Sequence, residues 1–221
     1  MNEYVSTVEA ALRLALSPRQ VRNLVRAGEL QQLARGVLDA TSVARYAAIR
    51  RTGRQAWAAT TSWAAISLLS DTDAVEIGAS QTSRLRGRLR DIGPEGLVER
   101  TRARAAVIRY AGHRSSLRRI APHLVMPDRA ALGLAAISGD HLDGYVSAGG
   151  AEALVRAHAL VPDPEGAITL RVTATDLTVV RKVARHAPVL AALDLGASLD
   201  PRERDAATRA LRVALDRYPR G

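Results

Sequence analysis

The sequence predicts an α+β chain that is mainly helical. Three observations predict it. Apolar residues recur at helical spacing in several segments that begin with a capping residue and end at Gly or Gly-Pro. Strand-like alternation is confined to short runs, of which "AITLRVT" (167–173) is the clearest. The charge is uneven along the 221 residues, so the chain divides by composition. Residues 1–54 form a three-helix unit with a short hairpin. Residues 55–125 form a helical, Arg-rich segment. Residues 126–221 form a small α+β domain.

Composition narrows the function classes. Hydrophobic residues make up 47% of the chain, with no Phe and 3% aromatics, so its cores are built from Leu, Val, Ile and Ala. No apolar run approaches the roughly 18–20 residues that span a bilayer. The start, "MNEYVSTVEAALRLAL", holds Glu3 and Glu9 and no basic region, unlike a signal peptide. Zero Cys excludes disulfides, thiolate metal sites and a Cys nucleophile. A cytoplasmic protein without membrane contact, metal or cofactor is expected. The net charge is +10. Residues 1–56 hold nine Arg against four acids, and residues 57–125 hold eleven Arg against six. Residues 126–221 balance twelve basic residues with twelve acidic ones. A basic half is the electrostatic footprint of a polyanion partner.

In the first segment, Ser6 and Glu9 have capping-box spacing before Ala10, Ala11, Leu14 and Ala15. "LSPRQVRNLVRAGEL" follows. Ser17-Pro18 places a cap and a Pro at the first helical position, and Gly28 stops a helix over 18–27. Two helices joined this tightly make a helix-turn-helix. Val21, Leu24 and Val25 form the apolar stripe of the second helix. Arg19, Arg22, Asn23 and Arg26 recur at i, i+3, i+4, i+7 on another face, with Gln20 at its edge. Arg, Asn and Gln make the bidentate contacts to guanine and adenine edges in the major groove. A solvated charged face is the bland alternative. The tight turn before the helix and the segment behind it argue against that alternative.

That segment is "GELQQLARGVLDATSVARY". Leu30–Ala34 and Val37–Asp39 read as two short strands around Arg35-Gly36. Thr41-Ser42 reads as the cap of a third helix through Val43, Tyr46, Ala47 and Ile49. Together, residues 4–50 resemble the excisionase/MerR-type winged helix-turn-helix family. The resemblance implies that the second helix enters the major groove of double-stranded DNA. It assigns Arg19, Gln20, Arg22 and Asn23 to base-facing positions and Arg35 to the wing tip. Arg26 joins Arg35 as a phosphate contact. The wing is short and lacks the aromatic often found there, so wing contacts are the weaker part of the match.

In the middle segment, Trp63, Ile66 and Leu69 have helical spacing, and Trp57 lies just upstream. Both indoles are expected to be core, packing this helix on the first domain. Leu85, Leu89 and Ile92 give a helix with caps among Ser80–Ser83 and a stop at Gly93-Pro94. A second helix follows from Pro94, with Leu97, Val98 and Thr101 inward and Glu99, Arg100, Arg102 and Arg104 outward. "AAVIRYAGH" reads as a strand. The Arg clusters read equally as phosphate contacts or as a solvated face.

In the last segment, 128–138 reads as helix, Tyr145-Val146 as a short strand, and 150–158 as helix. Asp200-Pro201 caps a final helix with Ala207, Leu211, Ala214, Leu215 and Tyr218 on one stripe. "GDHLDG" (139–144) is the one cluster with acid/base potential, and its Gly flanks favour a polar turn. No metal-ligand spacing, phosphate-binding loop or nucleophile elbow occurs, so an enzyme is not expected. A winged helix-turn-helix followed by an α+β domain is similar in plan to AbiEi-type antitoxins. That similarity implies an autoregulating repressor whose partner is a nucleotidyltransferase-like toxin protein. A homodimer on its DNA operator is also expected, because one small module makes few base contacts. An excisionase-like architectural DNA binder and a protein-interaction adaptor are the other readings.

Overall fold

The computed structural model describes residues 4–14, 16–51, 56–134, 140–198 and 200–218, the side chains of 45 and 48–51 excepted. The fold is α+β, with eleven α-helices and two small sheets among the described residues. The chain divides into two compact units, Met1–Gln55 and Ala56–Gly221.

The first unit runs β1 (Tyr4–Ser6), α1 (Thr7–Leu14), α2 (Pro18–Arg26), β2 (Gln32–Ala34), β3 (Val37–Asp39) and α3 (Ala40–Arg51). The three strands form an antiparallel sheet in the order β1-β3-β2. Ser6 Oγ accepts the Glu9 N–H at 3.1 Å, the N-terminal half of the expected box. The Glu9 carboxylate completes no box and pairs instead with Arg13 one turn on, at 2.6 Å. β2 begins at Gln32 rather than Leu30, and Leu30 is buried in the core. The cap of α3 also differs from expectation. Asp39 Oδ2 accepts the Ser42 N–H at 2.6 Å, so Asp39 is the cap. Ser42 is buried, and its Oγ donates to the Asp39 carbonyl and accepts from the Gln31 N–H. Val5, Leu14, Val21, Leu30, Leu38 and Val43, with Ala10 and Ala11, make up the core.

The second unit begins with α4 (Ala59–Leu69), α5 (Ala79–Asp91) and α6 (Pro94–Arg100), then a single 3-10 turn at Arg102–Arg104. β4 (Ala106–Ala111), α7 (Arg114–Ile120), β5 (Leu142–Ser147), α8 (Ala148–Ala157), β6 (Val161–Pro162) and β7 (Ile168–Thr173) follow. α9 (Leu177–His186), α10 (Val189–Leu195) and α11 (Pro201–Arg217) close the chain. The strand order is β5-β7-β4-β6, with β5 and β7 parallel and the other pairs antiparallel. β4 comes from the segment expected to end at 125, yet it lies inside this sheet. The expected boundary at 125 therefore does not separate compact units.

The sheet carries one core cluster on each face. Tyr110, Val146, Ile168 and Leu170 pack with Leu117, Ile120, Ala151 and Leu154. Tyr145 joins the larger cluster built by α4, α5, α6, α9, α10 and α11. Trp57 and Trp63, expected to pack on the first domain, are core of the second unit itself. Trp63 is fully buried and its Nε1 donates to the Arg104 carbonyl at 3.1 Å. Trp63 also meets Tyr145 edge-to-face, with ring centroids 5.6 Å apart.

Three further expectations are corrected. α5 is preceded by Gly78 without a side-chain cap, so Ser80–Ser83 do not cap it. The helix expected over 128–138 is a 3-10 turn at Ala130–Leu132, ended by Gly133 at φ 72°, and 135–139 lie outside the described residues. Glu99 and Arg104, expected outward, are 8% and 6% exposed. For Arg104 the reason is that α6 stops at Arg100 and the 3-10 turn swings its side chain into the interior, whereas Glu99 is buried within α6 itself.

There Arg104 enters a buried polar network. Its Nη2 donates to Asp194 Oδ1 at 2.5 Å and its Nε to Tyr145 Oη at 2.9 Å. Tyr145 Oη donates to the same Asp194 oxygen at 2.6 Å. Arg171 approaches that oxygen at 3.2 Å and binds Asp143 through both carboxylate oxygens, at 2.6 and 2.8 Å. Asp143 is thus a strand residue of β5 and not part of a polar turn. Burial pushes the Tyr145 phenol well above its ordinary pKa, which keeps it protonated as donor. Burial alone would lower both guanidinium pKa values. For Arg104 it is outweighed chiefly by Tyr145 and Asp194, and for Arg171 chiefly by Asp194 and Asp143, so both are raised.

Candidate nucleic-acid interface

α2 owes its start to a complete capping box. Ser17 Oγ accepts the Gln20 N–H at 3.2 Å, and Gln20 Oε1 accepts the Ser17 N–H at 2.9 Å. Pro18 occupies the first helical position, where no N–H is needed. At the other end the Ala27 N–H returns to the Asn23 carbonyl at 2.9 Å. Gly28 takes φ 71°, the left-handed conformation that ends helices.

These ends fix which face points out. Val21 is fully buried, while Leu24 and Val25 are half-buried. Arg19, Gln20, Arg22, Asn23 and Arg26 are all exposed. No acid occurs between Pro18 and Arg26, so the exposed face is purely cationic and amide. Arg26 Nη1 donates to Asn23 Oδ1 at 3.1 Å.

Arg35 lies at the turn between β2 and β3, beside Gly36 at φ 81°, and is exposed. The Gly36 carbonyl accepts both the Thr7 N–H at 2.9 Å and Thr7 Oγ1 at 3.2 Å. The hairpin tip is thereby tied to the start of α1. The structure brings five of the sequence-predicted residues onto one exposed side of α2 and places the sixth, Arg35, on the hairpin. Sequence reasoning missed two positions here. Thr7 as a tether has no local signal, since its partner is 29 residues away. Gln20 as a capping partner did have one, the Ser-x-x-Gln spacing itself.

Gln20 is consequently a divided residue. A bidentate contact to adenine needs both its amide oxygen and its amide nitrogen. The oxygen already accepts from the Ser17 N–H and from Ser17 Oγ at 3.0 Å. Ser17→Ala is expected to destabilise α2 by about 1 kcal/mol, read as faster amide exchange in 19–22. Unchanged exchange there would show that the box contributes nothing.

Among the described residues no helix is long and apolar enough to cross a membrane. No group of three His, Asp or Glu among them is arranged to hold a metal ion. No curated protein and no solved structure matches the chain. Residues 2–38, which span β1 through Leu38 of β3 and include all six candidate residues, match the family model described as "Transcriptional regulator, AbiEi antitoxin".

Proposed function

We propose that the chain is a sequence-specific DNA-binding repressor and the antitoxin of a toxin–antitoxin pair. The acid-free outer face of α2, framed by a capping box and a tethered hairpin, carries this reading. The likeness of residues 2–38 to antitoxin transcriptional regulators supports it. In this reading α2 lies in the major groove of double-stranded DNA. Arg19, Gln20, Arg22 and Asn23 meet base edges, and Arg26 and Arg35 meet phosphates. A homodimer would place two such helices about one helical turn apart on an operator. The toxin, of nucleotidyltransferase-like type, would be held by the second unit.

The test is binding to the DNA upstream of the chain's own gene. Arg22→Ala and Asn23→Ala are each expected to weaken specific binding by about 1–3 kcal/mol, with little effect on random DNA. Specific affinity unchanged in both variants would show that α2 does not read bases. Co-purification with the product of the adjacent gene tests the antitoxin role. An adaptor would retain no specific DNA even at low salt.

A further inference from the structure

Outside the helix-turn-helix, the clearest cationic surface of the second unit is α5. Leu85 and Leu89 form its buried line, 2% and 1% exposed. Arg84, Arg86, Arg88 and Arg90 are all exposed. At 100° per residue, Arg84 and Arg88 share one side of the buried line, and Arg86 and Arg90 the other. Like charges at i, i+4 repel and destabilise a helix. None of the ion pairs among the described residues involves these arginines. Arg86 borders a cavity also lined by Asp71, Asp73, Lys182 and His186, in which Asp73 pairs with Lys182. Asp91, at the end of the helix, is the only acid in α5.

Four guanidinium groups over seven residues, repelling one another and in no ion pair among the described residues, match a chain of phosphates better than water. Between them lies Gly87, where an added Cβ would meet nothing within 4 Å. Packing therefore does not require a glycine in mid-helix, and its position leaves room for close approach.

We infer that α5 is a second DNA contact, which holds the phosphate backbone through Arg84, Arg88 and Arg90 and reads no sequence. The inference rests on the proposed reading that the chain binds duplex DNA. Its role is distinct from that of α2, because phosphate contacts set affinity and salt dependence while base contacts set discrimination.

The experiment compares full-length wild type with Arg84→Gln/Arg88→Gln. The control is Arg209→Gln/Arg212→Gln, which removes the same charge from exposed positions of α11. Binding to operator and to random duplex DNA is measured across a salt series. Gln is a good helix former, and emission from Trp57 and Trp63 checks that the second unit is folded. The α5 variant is expected to lower the slope of log K against log salt by about 1.8 on both DNAs, about 0.9 for each lost phosphate. The ratio of operator to random affinity should stay unchanged, and the α11 control should keep the wild-type slope. An unchanged slope overturns the inference, as does an equal drop in the control, which would report net charge alone. Loss of an acidic protein partner with DNA binding intact would assign α5 to that partner instead. The two readings fail separately: α2 fails if Arg22→Ala and Asn23→Ala keep the operator ratio, even where the α5 slope falls. No DNA retention at low salt overturns both.

Discussion

Asp194→Ala is expected to destabilise the second unit by about 3–5 kcal/mol, the cost of removing one partner from a buried charge network. One oxygen of this carboxylate receives Arg104, Tyr145 and Arg171. Without it the Arg104 guanidinium, in a side chain 6% exposed, keeps only a phenol and the Thr101 carbonyl. Arg171 keeps Asp143. The loss compares with a whole-domain stability of about 5–15 kcal/mol. Both tryptophans belong to the core of this unit, so their emission in a denaturant series reads its unfolding without interference from the first. Asp143→Ala is expected to cost less, since its side chain is 25% exposed and Arg171 would retain Asp194. Replacing Arg104 and Asp194 together by Met and Leu should recover part of the loss, because no charge is then left unpaired. A single Asp194→Ala variant within 1 kcal/mol of wild type would show that the network does not hold the unit together.

That network also shows where reading the sequence stops. In "AITLRVT" the alternation correctly puts Ile168, Leu170 and Val172 on one face of β7. It suggests water for the other face, which holds Thr169, Arg171 and Thr173. Instead that face is covered, and all three residues are buried. The charges that make its burial tolerable come from β5 and α10, many residues away, and no local pattern announces them. Arg104 fails for the same reason. Periodicity extended its helix one turn too far, and a helical Arg at that register points outward. Local chemistry was far more legible. Ser17, Pro18 and Gly28 bound α2 within a residue, Asp200-Pro201 starts α11, and Gly36 turns the hairpin, because each acts through neighbours a few residues away. The candidate site sits in such local structure, so its exposed face was readable. Within it, the double duty of Gln20 was spelled in the Ser-x-x-Gln spacing, but the amide was assigned to bases alone. β4 pairs with β7 about sixty residues downstream, across position 125, a long-range choice that composition does not encode.

Leu38→Ala is expected to abolish specific DNA binding while leaving tryptophan emission unchanged. Leu38 is the buried residue of β3, the central strand of the small sheet, and is 1% exposed. Across the ladder it faces Val5 on β1 and Gln32 on β2. The first unit spans Met1–Gln55 and buries few large side chains, with Ala10 and Ala11 filling part of its core. A core of that size supplies no more than about 3–5 kcal/mol. Truncating a buried Leu costs about 2–5 kcal/mol, the cavity included. The loss therefore matches the whole stability, and the unit should be largely unfolded at 37 °C. Leu33→Ala is the control. It lies on β2, five residues earlier, but its side chain is 54% exposed and should shift stability by less than about 0.5 kcal/mol. Far-UV circular dichroism and amide spectra of the first unit would follow unfolding, with operator binding measured beside them. The presentation of Arg19, Arg22 and Asn23 depends on Val21 being seated against this core. If Leu38→Ala unfolded the first unit and yet kept operator affinity, the exposed face of α2 would not need the fold behind it, and the proposed reading of bases by a fixed helix would fall.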